Sequence, residues 1–178
     1  MNYRDLINLL ARYLVIILLA MFNLSIIYAI FTPITASLAY FFLNIIYSDV
    51  AWFSGTTTLF ISGNYITLIP SCIAGSAYYL LLLLNLTTPM DVKTRTKSIL
   101  FLILSFLFIN LMRIILFSVL FISGFQYFDI AHRLIWYLGS TVFVIGIWFF
   151  NIWLLKISAI PIYTDLKEII KDITIRKK

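Results

Sequence analysis

The sequence predicts an all-α integral membrane protein: four to five transmembrane helices, a short re-entrant or interfacial helix and a small external hairpin. Three observations carry that prediction. Hydrophobic residues make up 63% of the chain and charged residues 11%, against about 25% charged in an ordinary soluble domain. The apolar residues fall in runs of the length a bilayer demands, about 20 residues of helix. The 13 lysines and arginines gather at the ends of those runs, as topology signals do, so the net positive charge points to a membrane and away from nucleic acid. A chain of 178 residues has room for one bundle and no separate soluble domain. Residues 1–178 therefore read as a single membrane domain, with a core at about 55–155 and a basic cytoplasmic tail at 156–178.

The first apolar run covers residues 6–31 and ends at Thr32-Pro33. It has no small-residue cleavage pattern behind it and is expected to anchor. Residues 34–47 are too few for a comfortable crossing and read as re-entrant or interfacial. Two β-prone pieces, Leu59–Ile61 and Tyr65–Ile69, flank Gly63-Asn64 and predict a hairpin. Pro70 occupies the position of a first-turn helix proline, and the apolar run behind it continues to Thr88-Pro89. A polar stretch from Asp91 to Ser98 precedes a span from Ile99 to about Ser123, and a short loop leads to a last span over 130–155. The tail, Tyr163 to Lys178, alternates isoleucines with lysines in the manner of a helix lying on an anionic membrane surface.

Eleven of the 13 basic residues lie at the N-terminus (Arg4, Arg12), in the middle loop (Lys93, Arg95, Lys97) or in the tail. Placing all three inside requires four true spans, with residues 34–47 short of a full crossing. In that topology Cys72, Arg113 and His132 fall on three different segments, all toward the extracytoplasmic side.

Each of these has an ordinary explanation. A lone membrane cysteine serves as a small hydrophobe, a histidine at a span end as an interfacial polar group, and a buried arginine as a clamp on carbonyls or on an acid. Against that, Cys72 sits two residues after Pro70, where a helix N-terminus favours thiolate. Arg113 is costly in hydrocarbon, about 2.5–3.5 kcal/mol on the most lenient scale, and no Asp or Glu lies inside any span to neutralise it. Unless Asp129 or Asp49 reaches in from the outer loops, its charge is left for a ligand. Asn110 shares the Arg113 face at a spacing of three. Asp129, three residues before His132, is placed to orient the imidazole.

An external hairpin, then Cys72 with Gly75 close behind, then Asn110-x-x-Arg113-Ile114, then His132 at the start of the last span, resembles the exosortase/archaeosortase family over residues 55–150. The short chain is most similar to its compact archaeal members. The family commonly has a cysteine, one small or polar residue and then glycine, where this chain has Cys72-Ile73-Ala74-Gly75. The resemblance implies a multispanning thiol protease and transpeptidase for protein sorting. It would cleave a C-terminal sorting tail from exported proteins and pass the new C-terminus to a membrane lipid, anchoring it at the cell surface. By position, Cys72 would be the nucleophile, Arg113 the electrostatic partner and His132 the acid/base.

The chemistry is consistent with those residue types: a thiol splits acyl exchange into two steps through a thioester, an imidazole moves the proton, and a guanidinium stabilises developing charge. No cofactor is called for, and one histidine with one cysteine does not make a tetrahedral metal set. The alternative is a non-enzymatic transport or ligand-capture subunit holding an anion at Arg113 and Asn110. It has no requirement for the thiol.

Overall fold

The computed structural model describes residues 3–22, 24–53 and 55–157. The surface helix expected at the tail, from Tyr163 to Lys178, lies outside the described residues. Helices α1 (Tyr3–Met21) and α2 (Ser25–Ile46) lead into strands β1 (Val50–Trp52), β2 (Thr58–Ile61) and β3 (Asn64–Thr67). One helical turn, α3 (Pro70–Ile73), precedes α4 (Gly75–Leu86) and α5 (Val92–Ile122). The last helix comprises α6 (Phe128–Leu134), a π-helical turn (Ile135–Gly139) and α7 (Ser140–Leu155). Among the described residues, α2, α5 and the 28-residue helix from Phe128 to Leu155 are long and apolar enough to cross a membrane, and two further apolar helices are shorter. The chain is a multi-pass helical bundle with a small sheet at one end.

The first break in the chain falls between α1 and α2, after Met21 and before Ser25, not at Thr32-Pro33. Leu24 takes a left-handed conformation (φ 57°), and Pro33 lies inside α2. A proline removes one helical hydrogen bond without ending a helix whose two sides are held by packing. Here Phe31 on one side and Thr35, Ala36 and Ala39 on the other are all buried. Residues 34–46 are thus the second half of a 22-residue helix and not a separate short element.

The contacts give α1 and α2 the same direction. Along α1, Arg12 reaches the C-terminal end of α4 at Leu86, while Ile16 meets Tyr79 and, past the break, Tyr28 meets Gly75. Along α2, Phe31 stacks on Tyr78 at 3.9 Å, and Leu43 joins Leu59 and Ile61 beside Ile115 and Ile122. The two helices make one broken passage, so Arg12, Lys93, Arg95, Lys97 and Lys156 lie toward one end of the bundle, with the sheet at the other.

The hydrophobic order is that of a lipid-solvated protein: Leu100, Leu104, Phe108, Phe149 and Trp153 face outward, while several polar side chains are drawn inside and hydrogen-bonded there. At the basic end, the Asn85 and Asn151 amides both donate to Ser98 Oγ, at 2.6 and 2.9 Å. Arg95 donates to the carbonyls of Asn85 (2.7 Å) and Thr88 (2.9 Å), and Arg12 to those of Leu86 (3.1 Å) and Thr88 (3.4 Å). These arginines satisfy the last carbonyls of α4, which have no helical donor. Replacing Ser98 by alanine leaves two buried amides without their acceptor, and we expect a loss of about 1–3 kcal/mol. Thermal unfolding in detergent checks this: a Ser98→Ala midpoint equal to that of the parent contradicts it, and Ser98→Thr should recover most of the loss.

The stretch from Asp91 to Ser98, polar in sequence, is not a loop but the start of α5. Asp91 caps it by accepting from the Thr94 amide at 2.9 Å, and hydrogen bonding from Thr94 holds this carboxyl below its ordinary range. The hairpin forms as the sequence predicts, with its turn at Ser62-Gly63 (φ 47° and 81°), the left-handed pair of a two-residue turn. Asp49 holds that turn by accepting from the Ser62 amide at 3.0 Å. Strand β1 adds a third member to the sheet, in the order β1-β2-β3. It is three residues long, too short for sequence alternation to reveal.

Candidate functional site

The site is built around the single turn of α3. Ile69 is extended, Pro70 opens the turn, and the Cys72 amide donates to the Ile69 carbonyl at 2.8 Å. Ala74 then closes it in the left-handed region (φ 58°), and α4 starts afresh at Gly75. A non-glycine residue there costs of order 1–2 kcal/mol and persists only where its surroundings hold it. The break also takes the carbonyls of Ser71, Cys72 and Ile73 out of a regular helical ladder. Asn110 and Arg113 supply donors in its place. Asn110 Nδ2 lies 2.9 Å from the Cys72 carbonyl and 3.4 Å from that of Ile73. Arg113 Nη2 lies 3.1 Å from the Cys72 carbonyl and 3.4 Å from that of Ser71. The spacing of three on α5 thus brings both side chains onto one carbonyl, that of the cysteine itself.

Arg113 also donates through Nη1 to Ser140 Oγ at 3.3 Å, tying α5 to the residue that follows the π-helical turn. Three of its five N–H donors are engaged in this way, so the guanidinium is a carbonyl clamp first, and its charge is not wholly left over. The Nε–H and one Nη1–H have no hydrogen-bond partner among the described residues. Asn110 is buried (2% exposed), and its amide is committed to the α3 turn.

Cys72, Arg113 and His132 line one pocket of about 260 Å³. Its walls are apolar on the helical side, with Ile114, Phe117, Phe121 and Phe128, and on the other side it is bounded by residues 65–69. Cys72 is half-buried with its sulfur a free thiol, and Arg113 is near enough to interact with it electrostatically. His132 enters from α6. Its ring stacks on Phe128 (5.5 Å, 6° between planes) and meets Phe117 edge-on at 5.0 Å. Among the described residues the imidazole has aromatic neighbours and no hydrogen-bond partner, which leaves both nitrogens open to the pocket or solvent.

Two expectations about the site change. The thiol does not sit at the head of a long helix: α3 is four residues long, too short to sum a macrodipole, so the positive charge beside Cys72 comes from Arg113. Asp129 makes no hydrogen bond to His132. It is exposed and borders a different hollow with Arg133 and Tyr137.

Gly75 is a packing residue. A Cβ there would lie 2.6 and 2.8 Å from the Tyr28 ring carbons Cζ and Cε1. Gly75→Ala should displace the Tyr28 ring at a cost of about 1–3 kcal/mol, with the loss largely removed in the Gly75→Ala, Tyr28→Ala pair relative to Tyr28→Ala alone. Unfolding midpoints of the four proteins check this, and additive losses would refute the contact.

Other residues at the site, lining the pocket or bonded to Arg113, carried weaker signals. Phe117 stands four positions after Arg113, and Phe128 four before His132, spacings that place each pair on one helix face. Ser140, in the small polar group Gly139-Ser140-Thr141, was a visible interruption of the last apolar span. Among the described residues no group of three or more His, Cys, Asp or Glu side chains gathers in a way that could hold a metal ion. No protein-family model, curated protein or solved structure matches this chain.

Proposed function

We propose that this chain is a membrane-embedded cysteine transpeptidase or peptidase of the exosortase/archaeosortase type. It acts on exported proteins that end in a hydrophobic sorting tail, at the extracytoplasmic face of the membrane. The observation that carries the reading is the single pocket shared by Cys72, Arg113 and His132, three residues drawn from separate segments of the bundle. The positive-inside rule supports the orientation. Arg12, Lys93, Arg95, Lys97 and Lys156 belong to the end of the bundle opposite the pocket, and basic ends remain cytoplasmic.

In this reaction the Cys72 sulfur, deprotonated by His132, attacks the carbonyl carbon of the scissile peptide bond. The C–N bond breaks, the departing amine takes the proton from His132, and the acyl group is held as a thioester. The hydroxyl or amine of a lipid headgroup then attacks the thioester, giving its proton to His132 and releasing the thiol. Water in place of the lipid gives simple cleavage. Arg113 keeps the Cys72 carbonyl fixed and places positive charge where the thiolate and the tetrahedral oxyanion carry negative charge. The apolar walls of the pocket limit water and so favour transfer over hydrolysis.

The test is co-expression with an exported protein of the same genome whose C-terminus bears a short motif, an apolar helix and a basic cluster. The expected result is loss of the tail and a new C-terminal mass with the parent chain, and neither with Cys72→Ser. Processing that persists in the serine variant would leave the ligand-capture alternative, in which Arg113 binds an anion and the thiol is dispensable.

A further inference from the structure

The pocket is bounded by five consecutive residues, Tyr65, Ile66, Thr67, Leu68 and Ile69. Successive residues of a strand point to opposite faces, so a cavity lying over one face would meet every second residue. Tyr65, Ile66 and Thr67 belong to β3, and a cavity that meets all three runs along the strand's edge. The register of the hairpin shows which edge that is. Ile61 pairs with Asn64 across the two-residue turn, and Leu59 with Ile66, so the backbone groups of Asn64 and Ile66 point at β2. The ladder continues with the Leu68 amide donating to the Thr57 carbonyl at 2.9 Å. By the same alternation, the amides and carbonyls of Tyr65 and Thr67 point away from β2. Among the described residues no strand lies on that side, since β3 ends the sheet order. An unpaired edge is a template for another extended chain, and this one leads through Ile69 and Pro70 to Cys72, five residues beyond Thr67.

We propose that the free edge of β3 binds an extended peptide segment of the substrate as a fourth strand, paired through the backbones of Tyr65 and Thr67, and in this way delivers the carbonyl to be attacked to Cys72. This rests on the cysteine-enzyme reading for its last step but not for the binding itself. The occupant is a peptide because the groups on offer are backbone donors and acceptors at strand spacing, which side chains, lipid tails or simple anions do not match. Recognition of this kind reads the substrate's backbone, so it tolerates varied side chains and requires an unfolded, proline-free stretch beside the scissile bond.

The experiment measures binding apart from cleavage. The full-length Cys72→Ser protein in nanodiscs is titrated with a fluorescent synthetic peptide covering the tail region of the candidate exported protein, and with versions N-methylated at one residue each. Edge pairing predicts losses of at least tenfold at alternate residues and less than twofold between them. Thr67→Pro, which removes an amide facing away from β2, should weaken the unmodified peptide by a similar factor. Thr67→Val, which keeps the amide and loses the Thr58 hydroxyl contact, should not. Intact helicity and an unchanged unfolding midpoint for Thr67→Pro separate loss of the edge from loss of the fold.

Absence of binding, indifference to the position of the methyl group, or parental affinity in Thr67→Pro overturns the proposal. So does a dimer that Thr67→Pro dissolves while peptide affinity is unchanged, because that assigns the edge to a second copy of the chain. An alternating pattern together with no processing by the parent enzyme keeps edge binding and rejects the thioester chemistry. Processing without the alternation does the reverse.

Discussion

Exchanging Cys72 for serine should reduce processing of a tailed substrate by about a thousandfold or more, the range seen when a covalent nucleophile is removed, while leaving the fold unchanged. Serine is close to cysteine in volume, and the Cys72 sulfur contributes no hydrogen bond among the described residues. The backbone of Cys72 is the part that the structure holds: its amide to Ile69, its carbonyl to Asn110 and Arg113. Stability should therefore stay within about 0.5 kcal/mol of the parent. Sulfur is intrinsically far more nucleophilic than a hydroxyl, and His132, held only by ring contacts with Phe117 and Phe128, has no partner among the described residues to strengthen it as the base that serine would need. The measurement is the rate of tail loss by C-terminal mass, beside thermal unfolding of the same preparations. A serine variant within tenfold of the parent rate rules out the thioester mechanism.

Arg113→Ala is the second large effect, and it should appear in both measurements. Loss of the side chain removes two carbonyl contacts from the α3 turn and the link to Ser140, which should cost about 1–3 kcal/mol of stability. It also removes the charge next to the thiol, and a preorganised group of that kind is worth about 10²–10³ in rate. Arg113→Lys separates the two roles. A lysine keeps the charge, but its compact ammonium cannot span from Ser140 on one side to Ser71 and Cys72 on the other. We expect the lysine variant to recover part of the rate and remain at least tenfold below the parent, with stability close to that of the alanine variant. Processing at the parental rate in Arg113→Ala rejects any part for the guanidinium in the reaction.

The sequence made the bundle and its candidate site unequally legible. Arg113, Asn110 and His132 stood out because each is an expensive group in an apolar run, and the structure brings the arginine and histidine to the pocket of Cys72 and the asparagine to its carbonyl. Arg12 and Arg95 were equally visible but read only as topology markers. Their contacts with the ends of α4 depend on where Thr88 and Leu86 sit, which no local pattern encodes. Asp129 looked like a partner for His132 because a spacing of three is compatible with one helix face. Whether it is a shared face depends on where α6 begins, and that is a boundary sequence places within a few residues at best. The break between α1 and α2 was missed for a related reason: Pro33 is the strongest local punctuation in that stretch, and packing around Phe31 and Ala36 overrides it.

By itself the sequence determined the solvent, the approximate position of the last two long helices, the hairpin, and which end of the bundle carries most of the positive charge. These follow from transfer free energies large enough that composition alone decides them. Only the tertiary structure decided that the Cys72 turn is broken at Ala74, that Asn110 and Arg113 close on the cysteine's own carbonyl, and that the open edge of β3 borders the same pocket. Those outcomes turn on single left-handed residues and on the fit of neighbouring helices, differences of one or two kcal/mol that depend on contacts between residues distant in the chain.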